Sequence, residues 1–163
     1  MDIWALADPA RIGASKPIAF ANTKKNKTQG QFSPDTHWVA YASDESGRYE
    51  VYVRPFPPVE SREGKWKVSS VGGLQPRWRG DGKELFYFAP DRKLMAVDIQ
   101  TEPTFQHGAP HALFETPVYG TFPTRFRYDV TREGKRFLMV VPAAGVAAAP
   151  ATVMLNWQEA LRK

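Results

Sequence analysis

Cysteine is absent from the 163-residue chain. That excludes disulfides, thiolate metal sites and cysteine nucleophiles, and leaves the cellular compartment open. No apolar run is long enough to span a bilayer, and the N-terminus lacks the basic-then-apolar pattern of a signal peptide. There is no Gly-rich phosphate loop, no His-Arg-Asp, no Asp-Phe-Gly and no Gly-x-Ser-x-Gly elbow. Kinase and serine-hydrolase chemistry therefore have no anchor in this chain. His107 and His111 have the spacing of a helical metal pair. Gly108 and Pro110 lie between them with no carboxylate at the expected spacing, so neither metal nor cofactor is expected. The formal charge is +5, with a cluster at Lys24, Lys25 and Lys27. Without a recognition helix or an aromatic RNA-binding motif, the cluster reads as a solvated loop, and no nucleic-acid partner is expected.

What is abundant is turn and strand chemistry. Fourteen prolines, 12 glycines and 13% aromatic residues suit many short strands joined by tight turns, not a helical bundle or a disordered chain. From Gln31 to Phe56 an apolar residue leads into a Pro34-Asp35 turn. A strand follows, then the polar turn Asp44 to Arg48, then a returning strand. There Val51 and Val53 alternate with Glu50, Tyr52 and Arg54, the period of a strand with one polar edge. The unit recurs from Trp78 and, less faithfully, from Val130. The turn acids Asp35, Asp81 and Glu133 mark intervals of 46 and 52 residues (35 to 81, 81 to 133). Short strands repeating every 40–50 residues or so signal a β-propeller with one blade per repeat. The second strand of each repeat is apolar on both faces: Leu85 and Tyr87 oppose Phe86 and Phe88, and Phe137 and Met139 oppose Leu138 and Val140. Such a strand is buried on both sides, which favours stacked blades over a sandwich.

The expected architecture is all-β, a propeller fragment of about three four-stranded antiparallel blades. Residues 1–22 end a preceding blade, with Pro9 to Ser15 as a turn and Lys16 to Phe20 as a fourth strand. Residues 28–71 and 74–116 form full blades, closed by strands at Lys65–Ser70 and His111–Phe114. Residues 125–157 form an incomplete third blade containing a loop from Ala143 to Ala151, and 157–163 a short helix capped at Asn156. Too few blades to close a ring leave apolar flanks, so the expectation is either a homodimer completing a ring of about six to seven blades or an aggregation-prone monomer stable only within its parent protein.

Phe32-Ser-Pro-Asp and Glu45-Ser-Gly-Arg-Tyr-Glu-Val-Tyr-Val, with Pro76-Arg-Trp78, Gly82-Lys-Glu-Leu-Phe-Tyr87 and Tyr128-Asp-Val130, resemble TolB-type, WD-repeat-like bacterial propeller repeats. The resemblance covers nearly the whole chain and is strongest to the C-terminal propeller of multidomain proteins such as bacterial membrane-bound serine/threonine kinases. It implies a non-catalytic module that binds or senses a protein or peptide partner, outside the cytoplasm, with any catalytic domain elsewhere in a parent protein. The alternative is the gating propeller of a prolyl-oligopeptidase-type peptidase. Thr36 and Arg92 depart from the repeat by standing where its turn carries glycine, and Arg132-Glu133 replaces Pro-Asp.

Asp35, Asp81, Asp91 and Glu133 occupy turn positions, where bonds to the backbone explain them better than acid–base work. Trp38, Trp78, Phe86 and Phe88 sit at strand spacing and read as blade core. The candidate ligand-binding residues are Gln29, Gln75, Arg77 and Arg127, in the loops leading into each innermost strand, where a propeller's channel opens. No catalytic residue is assigned.

Overall fold

The computed structural model describes residues 1–6, 17–21, 23–58, 64–118 and 125–141. The expected turn at Pro9–Ser15, the Ala143–Ala151 loop, the strand at 151–157 and the helix at 157–163 lie outside the described residues. Among the described residues, thirteen strands run in chain order. A hairpin of β1 (Ile3–Ala5) and β2 (Ile18–Ala21) comes first. It is followed by a four-stranded meander of β3 (Lys27–Phe32), β4 (Trp38–Ser43), β5 (Glu50–Pro55) and β6 (Trp66–Lys67). The next sheet holds β7 (Leu74–Trp78), β8 (Glu84–Phe88) and β9 (Lys93–Gln100). On the outer edge of β9 lie both β10 (Gln106–His107) and β11 (His111–Glu115). These two form one fourth strand, interrupted at Gly108-Ala109-Pro110, where proline offers no N–H to the ladder. Last comes the hairpin of β12 (Tyr128–Val130) and β13 (Phe137–Met139). All pairing is antiparallel, and the sheets stack face to face as blades of a propeller. Among the described residues, no helix is long and apolar enough to cross a membrane.

The same turn builds the first hairpin of each blade. The N–H groups of Thr36, Gly82 and Gly134 donate to the carbonyls of Ser33, Arg79 and Thr131 at 2.9, 2.9 and 2.8 Å. Thr36, Gly82 and Gly134 take φ of 63°, 73° and 73°, left-handed geometry that suits glycine and strains a β-branched residue. Arg92, the other departure from the repeat, has φ of 67°. The turn acids do local work as expected: Asp35 accepts from His37 N–H at 3.0 Å, and Asp81 from Lys83 N–H at 3.0 Å. Neighbouring turns also touch. Gly80 N–H donates to the Arg132 carbonyl at 2.8 Å, and a Cβ at Gly80 would lie 2.7 Å from that oxygen.

Burial follows the blades. Ala40, Val51 and Val53 of the first full blade pack on Leu85, Tyr87 and Val97 of the second. Phe86 and Phe88 turn the other way, onto Tyr128, Phe137 and Met139 of the third. Phe20 and Ile3 of the leading hairpin cover Val39 and Tyr41. Trp78 joins the core, and Trp38 stands at its margin beside Phe105 and Trp66, with ring centroids 4.9 and 5.6 Å away.

Three expectations need correction. The second strand of the third blade is not buried on both faces: Leu138 and Val140 are exposed, because no described element packs on that side. Glu50 and Tyr52 do not form a polar edge. Both are buried; Tyr52 stacks on Tyr41, and Glu50 accepts from Arg48 Nε at 2.8 Å, Gly72 N–H at 3.0 Å and the Ser69 hydroxyl. Finally, Lys27 is not solvated. Its buried Nζ donates to the carbonyls of Thr23 and Lys25 at 3.2 and 2.7 Å and lies 3.6 Å from Asp2.

Candidate functional site

The loops leading into the innermost strands converge, and Gln29, Gln75 and Arg127 occupy the same repeat position at the 46- and 52-residue intervals (29 to 75, 75 to 127). Gln29 and Gln75 each sit in a break of ladder register with φ of 58° and 61°. Such a bulge re-aims the side chain, and here it sends both amides between blades. Gln29 Oε1 accepts from Gln75 N–H at 2.8 Å, and Gln75 Oε1 accepts from Arg127 N–H at 2.6 Å. One side-chain oxygen thus satisfies the main chain of the next blade, twice in succession. Because a main-chain N–H must meet oxygen, this also fixes which amide atom is which.

The remaining contacts tighten the same seam. Gln29 Nε2 donates to the Arg125 carbonyl, two residues before Arg127, at 3.0 Å. The Tyr128 hydroxyl donates to the Gln75 carbonyl at 2.9 Å, and burial pushes its pKa well above the usual phenol value. Gln75 is 0% exposed, and its Nε2 has no hydrogen-bond partner among the described residues. Gln29 and Gln75 therefore act in this structure as staples between blades.

Arg77 and Arg127 sit differently. Arg77, Gln31 and Asp129 share the next outward-facing repeat position (31 to 77, 77 to 129). Arg77 Nε lies 3.4 Å from Asp129 Oδ1 across two blades, an ion pair without hydrogen-bond geometry. The Arg77 guanidinium lies over the Phe126 ring, 3.8 Å from its centroid. Phe126 keeps 36% of its surface exposed, and Asp129 is exposed. Arg77, Asp129 and the accessible Phe126 ring form this rim, with one cation and one acid. It can hold an acidic or carbonyl-rich chain by charge and stacking. Nothing in it pairs a nucleophile with a base.

No family model matches the sequence, and no curated protein matches it. Among solved structures, TolB from Acinetobacter baumannii is similar. Its TM-score is 0.39 at 16% identity, with 80% of this chain and 41% of that chain covered. The chain thus spans less than half the length of that structure.

Phe126, Asp129 and Tyr128 were not among the residues expected at the site. The repeat interval pointed to Asp129, which falls in register with Arg77. Phe126 carried no such signal, since its counterpart Leu74 is buried core. His107 and His111 lie on β10 and β11, and His107 Nδ1 contacts the Gly108 carbonyl at 2.9 Å. Among the described residues, no group of three or more His, Asp or Glu gathers where it could hold a metal.

Proposed function

We propose that this chain is a non-catalytic propeller module that binds a protein or peptide segment at the Arg77–Phe126–Asp129 rim. In this reading it serves a multidomain bacterial signalling protein of the membrane-bound serine/threonine kinase type, and two copies complete the ring. The supporting observation is the stack of Arg77 on exposed Phe126 at 3.8 Å. An aromatic ring and a guanidinium presented together are the residue types that dominate protein recognition. Repeat-equivalent positions from successive blades supply the polar groups around them.

Binding of acidic, neutral and basic extended peptides, measured by calorimetry, tests the reading. Acidic peptides should bind, weaken with added salt, and lose about tenfold in affinity in Arg77→Ala, on the scale of about 1.4 kcal/mol for a substantial interface residue. Equal, salt-independent binding of all three classes would contradict it. With ATP, chromogenic esters and peptides, the purified chain should give background rates only. Turnover that tracks a single residue change would overturn the non-catalytic assignment.

A further inference from the structure

The leading hairpin and the last hairpin correspond to different halves of a blade. Strands β1 and β2 occupy the two outer positions of a blade, since Lys27 N–H bonds to the Met1 carbonyl just as Gly73 N–H bonds to Tyr49 ahead of β5. Strands β12 and β13 occupy the two inner positions. Among the described residues, β1 pairs only with β2 and β13 only with β12.

The exposed faces match as well. Phe86 and Phe88 correspond to Leu138 and Val140 at the 52-residue interval (86 to 138, 88 to 140), and they pack on Tyr128, Phe137 and nearby Val130 of the following blade. The counterparts of Tyr128, Val130 and Phe137 in the first full blade are Gly30, Phe32 and Val39. Those three residues, with Ile3, Phe20 and Phe56, line a groove of about 100 Å³ beside β1. Phe32 in that groove is 50% exposed and Leu138 is 77% exposed. Leu138 and Val140 therefore lack the neighbours that the groove presents.

A third observation points the same way. Gln29 uses its Oε1 on the next blade and its Nε2 on the carbonyl of Arg125, one blade further on. Gln75 makes the first bond, while its buried Nε2 has no partner among the described residues. The blade that would supply the acceptor lies beyond the third one. At the repeat interval, Arg125 corresponds to Lys27.

We infer that the β12–β13 hairpin of one copy seats in the β1–β2 groove of a second copy, placing Leu138 and Val140 against Gly30, Phe32 and Val39. The Gln75 amide then reaches the main chain at Lys27 of that copy. This rests on the dimeric reading above and names its junction. A two-fold pair closes both junctions at once and forms a ring of about six blades, within the known range.

Light scattering coupled to size exclusion at micromolar concentration is the test, with circular dichroism confirming that each variant is folded. The wild-type chain should run at twice its mass. Leu138→Glu and Phe32→Lys should each weaken the dimer at least tenfold, and the double variant, which pairs the new charges, should regain most of the loss. Gln75 side-chain amide protons should exchange more slowly in the dimer than after dilution to monomer. A folded wild-type monomer would overturn both the dimer and the junction. A dimer indifferent to both single variants would keep the dimer and overturn the junction alone.

Discussion

Strands β8 and β13 carry similar patterns, Leu-Phe-Tyr-Phe and Phe-Leu-Met-Val from positions 85 and 137, in different surroundings. Phe86 is 1% exposed because the third blade covers it, whereas Leu138, its counterpart, is 77% exposed. An apolar residue on both faces of a strand thus records two neighbours, and a flank blade shows one of those faces as surface. In the middle of the stack that face supplies stability; at the flank it is available for recognition.

The largest effect should come from breaking the covered side of this pair. Phe86→Ala is expected to cost about 3–5 kcal/mol through lost burial and a cavity. Leu138→Ala under monomeric conditions should stay within about 0.5 kcal/mol. Urea denaturation of both decides it, and similar costs would mean that β13 is covered on both sides.

Next comes the polar seam. Gln29→Leu strips Gln75 N–H of its acceptor inside the stack and should cost about 1–3 kcal/mol. A smaller loss in the same denaturation assay would show that water replaces the side chain.

Thr36→Gly runs the other way. Relief of left-handed strain, about 1–2 kcal/mol, exceeds the entropy glycine adds to the unfolded chain, about 0.4–1 kcal/mol. Net stabilisation of about 0.5–1 kcal/mol is expected, seen as a raised denaturation midpoint. The same change is meaningless at position 82 or 134, where glycine already stands.

The smallest effect is electrostatic. The Arg79 side chain, hydrogen-bonded to Asp81, holds that carboxyl at about 2, below its ordinary 3.8. A depressed carboxylate contributes stability that is present above its unfolded pKa and lost as pH falls through its folded one. Asp81→Asn should therefore flatten the stability profile between about pH 4 and 2, weakly, because the pair is solvent-screened. Burial, with Glu50 second, pushes the Tyr87 hydroxyl up to about 12. Its contribution is present in full below about pH 10 and fades as pH rises through the folded value.

The repeat was legible in the sequence because turns announce themselves locally: Pro34-Asp35 and Asp81-Gly82 need only their own backbone, and strand alternation needs only period two. The blade order followed from spacing alone. The inter-blade chemistry was less legible. Gln29 and Gln75 stood out as polar residues at the right place and were read as facing the channel. Their positive φ, which turns the amides inward, depends on a bulge against the neighbouring strand that no local pattern specifies. Glu50 misled in the same way, since a carboxylate in an alternating strand looks solvated until Ser69 and the Gly72 amide, some 20 residues on, are seen to enclose it. The lysine cluster misled for a third reason: Lys27 is buried by carbonyls that its own loop folds over it, beside an acid from the first residues of the chain.

The account's central claim is that successive blades are joined through Gln29 and Gln75, and amide hydrogen exchange tests it most directly. Gln75 and Arg127 N–H lie where a strand leaves a loop and would exchange at loop rates if only water met them. The account predicts protection comparable to the amides of β8, with Gln75 N–H losing most of that protection in Gln29→Leu. Fast exchange of both amides in the wild-type chain would contradict it.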